Sequence, residues 1–132
     1  MKNFSIIILF FSASFLSSCQ KKDIEGVDKN KLKITISKPL EAQVFNAGDT
    51  VYISASADYV SQLHGYSIQI TDKASNELYL DIDKHLHDSS FGIDTFWVNK
   101  LQQNADLTLK ITVEIDHNGN QETKEINFKT KN

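Results

Sequence analysis

The feature that most constrains the fold is an unbroken two-residue alternation near the C-terminus. Leu107, Leu109, Ile111, Val113 and Ile115 are apolar, and Thr108, Lys110, Thr112 and Glu114 between them are polar. Successive side chains of a strand point to opposite faces, so this run predicts a strand buried on one face and solvated on the other. The same period recurs upstream. Leu32, Ile34 and Ile36 alternate with Lys33, Thr35 and Ser37 before Pro39, and Val51, Ile53, Ala55 and Ala57 follow the Gly48-Asp49 turn. Tyr66, Ile68 and Ile70, then Leu78, Leu80 and Ile82, supply two further inward sets. A strand around Phe91 to Val98 carries Trp97, with either parity open as its inward face. Asn118-Gly119 predicts a type I′ turn into a last strand containing Ile126 and Phe128. No segment from Lys31 onward shows a helical period, so about seven short antiparallel strands in roughly 100 residues predict one all-β sandwich.

The N-terminal end follows different rules. Lys2 precedes an apolar run, Phe4 to Leu16, interrupted only by Ser5, Ser12 and Ser14. A bilayer-spanning helix needs about 20 residues, so the run predicts a cleaved signal peptide over residues 1–18 rather than an anchor. Its end, Leu16-Ser17-Ser18-Cys19, resembles the lipobox of bacterial lipoproteins, in which the cysteine is acylated and becomes the new N-terminus. The alternative is an ordinary secretory cleavage site beside an incidental cysteine, which leaves an unpaired thiol in an oxidising compartment. Cys19 is the one cysteine of the 132-residue chain. Acylation with palmitate and related chains, as the resemblance implies, removes that anomaly and anchors the protein to a membrane. From Gln20 to Asn30 the chain is charged and aperiodic, so residues 19–30 read as the lipidated cysteine and a flexible tether, and 31–132 as the folded domain. Gln20-Lys21-Lys22-Asp23 with Glu25 resembles the charged segments that send some Gram-negative lipoproteins to the outer face of the outer membrane. The expected location is therefore the outer membrane, on either its cell-surface or its periplasmic face.

The segment from Ile34 to Phe128 resembles bacterial immunoglobulin-like domains of a family of unknown function. The resemblance rests on Ile36 to Pro39, Gly48-Asp49, and Asp116 to Asn120. These motifs are structural punctuation, so they imply an immunoglobulin-like β-sandwich and carry no activity with it.

Composition narrows the function classes. All 14 basic residues are lysine and the formal net charge is -3, which disfavours nucleic acid as a partner. No Gly-x-Ser-x-Gly elbow or phosphate-cradling glycine loop occurs, and Asp81 and Asp83 fall on a solvent face, so the chain is not expected to be an enzyme. Its expected role is non-catalytic, binding an envelope protein or a surface ligand. An accessory subunit of a nutrient-uptake system is a related alternative.

The four histidines point to another alternative. His64 precedes the third strand, His85 and His87 follow the fourth, and His117 lies in the last hairpin. Loops two strands apart lie at the same end of an antiparallel sandwich. All four histidines are therefore expected at the pole that carries the binding loops of immunoglobulin variable domains, together with Asp58, Asp83, Asp88 and Asp116. Imidazole suits Zn²⁺ or Cu²⁺, so this constellation predicts a transition-metal site, the only cofactor expected; loop polarity alone is the plainer explanation. Asp116, Asn118 and Asn120 match the start of an EF-hand loop, but Gln121 and Asn127 stand where that loop needs Gly and Glu, which excludes calcium there. Tyr52 and Tyr79, on outward parities, offer aromatic faces for stacking.

Overall fold

The computed structural model describes residues 26–132. The leader, Cys19 and the first part of the tether lie outside the described residues. After a 3₁₀ turn at Lys29–Lys31 the chain forms eight strands: β1 (Lys33–Lys38), β2 (Val44–Asn46), β3 (Thr50–Asp58), β4 (Gly65–Asp72), β5 (Leu78–His85), β6 (Ser90–Val98), β7 (Ala105–Glu114) and β8 (Gln121–Lys131). They build a three-stranded sheet, β1-β3-β6, and a five-stranded sheet, β2-β8-β7-β4-β5. This is an all-β sandwich of immunoglobulin-like class, as the alternation predicts.

The eighth strand, beyond the seven expected, comes from a strand switch. β1 pairs with β3 and stops at Pro39, which lacks a ladder N–H; the chain then crosses to the other sheet, where β2 pairs parallel to β8. The crossing is fastened by Ala42 N–H donating to the Asn127 carbonyl at 2.7 Å, and by Asn127 N–H donating to the Glu41 carboxylate at 3.0 Å. Three residues are too few to show a period in sequence.

The inward sets of β3, β4 and β7 form the core. Val51, Ile53, Ile68, Ile70, Leu107, Leu109, Ile111 and Val113 are all buried, with Phe128 of β8 beside them. Trp97 takes the inward parity of β6, lying T-shaped over Phe128 with centroids 6.5 Å apart and stacked on Tyr79 at 6.2 Å. β5 departs from the simple alternation. A bulge opposite Ile70 and Thr71 shifts its register, so Leu78 turns outward and Tyr79, expected outside, packs toward the core. Packing also reaches back into the segment expected as tether, because Val27 lies against the core cluster.

Candidate functional site: the histidine pole

Three loops meet at one end of the sandwich: residues 59–64 between β3 and β4, 86–89 between β5 and β6, and 115–120 between β7 and β8. Backbone bonds lock them together. Tyr59 N–H donates to Ser89 O at 2.8 Å, Leu63 N–H to Asp88 O at 2.9 Å, His64 N–H to Glu114 O at 2.9 Å and Leu86 N–H to His64 O at 3.2 Å. The Gln62 side-chain amide donates to the His87 carbonyl at 3.3 Å. Beneath them Leu63 is fully buried, and Tyr66 stacks on Phe91 with centroids 5.0 Å apart. The loops therefore rest on a packed floor.

Gly65 sets how closely the strand ends approach. It pairs with His85 on one side and Glu114 on the other, and a Cβ there would lie 2.6 Å from the Lys84 carbonyl oxygen. Only glycine lets β5 come this near.

The hairpin that carries His117 is not the two-residue type I′ turn expected from Asn118-Gly119. Strand pairing ends at Glu114 and Gln121, and Ile115 N–H closes the loop on Asn120 O at 2.8 Å. Gly119 adopts φ 85°, but Asn118 is not among the residues with positive φ, which type I′ requires. The reason is Asp116. Its carboxylate accepts from Asn118 N–H at 2.9 Å, Asn120 N–H at 3.1 Å and the Asn120 side-chain amide at 2.7 Å, and so shapes a wider loop. The side-chain bond from Asn120 leads the interactions that hold the Asp116 carboxyl below the usual carboxylate range. With its carboxylate engaged in this way, Asp116 braces the loop while His117 stands exposed beside it.

The four imidazoles gather above these loops. Ring centroids are separated by 4.0 Å for His64 and His117, 5.0 Å for His64 and His87, and 4.6 Å for His85 and His87. His117 lies 6.0 Å from His85 and 6.2 Å from His87. His85 Nε2 and His87 Nε2 share a hydrogen bond of 3.0 Å, so one ring donates and the other accepts. Desolvation, then the proximity of His117, His87 and His85, pushes the His64 pKa below the ordinary imidazole range, with Asp116 opposing. His64 is thus held neutral near pH 7, the form with a free nitrogen lone pair. Its Nδ1 is buried without a hydrogen-bond partner. Among the described residues, no group of three or more His, Cys, Asp or Glu side chains is placed to hold a metal ion in the arrangement seen. Asp58, Asp83 and Asp88 are exposed.

A second surface lies on the outer face of the three-stranded sheet. Tyr52 is 61% exposed and its cross-strand partner Phe96 is 58% exposed, with the hydrogen-bonded pair Ser54 and Asp94 alongside. Phe96 escaped sequence reading because the parity of β6 was open until Trp97 was placed.

No protein family and no curated protein matches the sequence. Among solved structures, the fold is similar to the crystal structure of catalytically inactive OgpA from Akkermansia muciniphila in complex with an O-glycopeptide (glycodrosocin) substrate, with a TM-score of 0.52 at 16% identity. The match covers 76% of this chain and 29% of that chain, so the sandwich corresponds to under a third of the larger protein, and the likeness is one of fold.

Proposed function

We propose that this protein is a lipid-tethered, non-catalytic binding module of the bacterial outer membrane whose recognition end is the histidine pole. The observation that carries this reading is the gathering of four imidazoles, three from interlocked loops and His85 from the end of β5, onto one end of the sandwich. Among the described residues, the one hydrogen bond made by these side chains joins two of the histidines. Imidazoles that engage neither a hydroxyl nor a carboxylate are arranged as ligands rather than as a nucleophile's base.

The entry of the chain supports the same reading. Lys29 Nζ donates to the Gln121 carbonyl at 3.1 Å and lies 3.6 Å from Glu122 Oε1, so the chain enters beside the hairpin that bears His117. Seven residues separate Cys19 from Val27, the first of the described residues packed on the domain. As a coil they span about 15 Å. Acylation of Cys19 therefore keeps the histidine pole close to the lipid surface, within reach of small ions and of envelope proteins.

Metabolic labelling with a radioactive fatty acid tests the tether. The wild type is expected to take up label and a Cys19→Ala variant to take up none; equal labelling of the two sinks the proposal. Protease treatment of intact cells then reports the face: degradation of the domain means cell-surface display, and protection means the periplasmic leaflet.

A further inference from the structure

We propose that His64, His85, His87 and His117 form an all-nitrogen site for one divalent transition ion of the zinc or copper class. The proposal rests on the pole being the binding end and names what that end holds.

Spacing is the first argument. Zinc–imidazole bonds of 2.0–2.1 Å place the nitrogens of a tetrahedral set about 3.3 Å apart and the ring centroids about 5 Å apart. A square-planar copper site brings neighbouring nitrogens to about 2.9 Å. His85 Nε2 and His87 Nε2 stand 3.0 Å apart, between these values. Five of the six centroid separations at the pole lie between 4.0 and 6.2 Å and bracket the tetrahedral figure. Closing a cage takes rotation of the exposed His85, His87 and His117 rings toward His64, and such rotamer changes take only picoseconds to nanoseconds.

Unspent hydrogen-bonding capacity is the second argument. A neutral imidazole has one donor and one acceptor, and a histidine serving the fold alone would find protein partners for them. Instead His64 Nδ1 is buried with none, and His85 and His87 satisfy one nitrogen each on the other. A metal ion takes the free lone pair of His64 and replaces the His85–His87 bond, the donor ring of that pair shifting its proton to its other nitrogen or releasing it to water.

Ligand type is the third argument. Asp116, the acidic residue nearest in sequence to His117, has its carboxylate occupied by Asn118 and Asn120. An imidazole-dominated set selects zinc or copper over calcium or magnesium, which demand oxygen.

The test uses the full-length protein, purified in detergent and stripped with a chelator, then titrated calorimetrically with Zn²⁺, Cu²⁺ and Ca²⁺ in turn. One equivalent of Zn²⁺ or Cu²⁺ per chain is expected to bind saturably at micromolar metal, with copper the tighter, and no Ca²⁺. His85→Ala, His87→Ala and His117→Ala, all at exposed positions, should each weaken binding about tenfold or more. Nitrogen hyperfine splitting in the Cu²⁺ electron paramagnetic resonance spectrum should lose intensity in the same variants. Absence of saturable binding, or binding unchanged in His85→Ala/His117→Ala, overturns the site. Fatty-acid labelling without metal uptake removes the metal site and leaves the tethered module standing; metal uptake without labelling does the reverse.

Discussion

The two ends of the sandwich use polar side chains in opposite ways. At the end away from the histidines, Asn99 is fully buried; its amide donates to the Asn46 carbonyl at 2.9 Å and its Oδ1 accepts from Leu101 N–H at 3.1 Å. Asp72 is nearly as buried, and its carboxylate accepts from Ala74 N–H at 2.7 Å and Ser75 N–H at 2.9 Å. A depression of about 690 Å³ lies there; Asp72 in its wall is committed to a turn, and Thr130 Oγ1, also in its wall, is buried without a hydrogen-bond partner. At the histidine pole the backbone is equally well bonded, yet the imidazoles face one another and His64 Nδ1 faces no partner. Each end thus leaves one buried polar atom unpartnered, and what separates them is gathering: the far end has a lone hydroxyl, the pole four imidazoles together. Cavity size alone points to the wrong end.

The sharpest way to break this contrast is to remove Asn99. Asn99→Ala deletes two side-chain hydrogen bonds and strands the Leu101 N–H, while the Asn46 carbonyl keeps the Asp49 N–H, a loss of about 2–3 kcal/mol. Urea denaturation should show the midpoint falling with little change in slope. A loss near zero would mean that the far end is no more committed to the fold than the histidine pole. Gly65→Ala comes next, because its Cβ would press on the Lys84 carbonyl, and a clash of this kind costs about 1–3 kcal/mol. This variant also sharpens the comparison, since it pushes the arm bearing His85 away from His64 and should lower stability and metal uptake together.

How much of this was legible beforehand differs between the two ends for a physical reason. The alternation in β3, β4 and β7 announced their faces, and the parity of loops placed His64, His85, His87 and His117 at one end, because a count of strands between loops fixes which end each loop occupies. The short β2 left that count intact, as it precedes all four. The β5 bulge, the wide Asp116 loop and the buried Asn99 were not legible. Each depends on a partner distant in sequence or on a side-chain cap competing with a familiar turn, and neither leaves a period to read. Ring spacing at the pole was likewise invisible, since it follows from the close approach that Gly65 permits.

Asp72 gives a pH-dependent version of the same contrast. Backbone N–H groups of Ser75 and then Ala74 hold its carboxyl below the ordinary carboxylate range. The folded pKa is therefore below the unfolded value of about 4, so the stabilisation is full above that value and is lost as pH falls through the folded pKa. Asp72→Asn should be less stable than wild type at neutral pH, and the two should converge in acid. Denaturation midpoints measured from pH 7 down to about pH 2.5 check this, and a gap that stays constant would assign the effect to packing instead.

The smallest effect on the metal-free fold, and the most telling, is expected where the side chains are exposed and hold no bond to the rest of the fold. His117→Ala or His85→Ala removes no bond to the backbone, so stability without metal should stay within about 0.5 kcal/mol of wild type. A metal that binds only the folded state adds about 2.7 kcal/mol at one hundred times its dissociation constant. Wild-type protein should therefore melt higher with zinc, and these variants should lose most of that rise while melting like wild type in chelator. His64→Leu carries the point further. It removes the buried nitrogen that lacks a partner, so in chelator it should melt no lower than wild type, while in zinc it should gain nothing. If His64→Leu instead melts well below wild type in chelator, the imidazole serves the fold, and the pole resembles the far end after all.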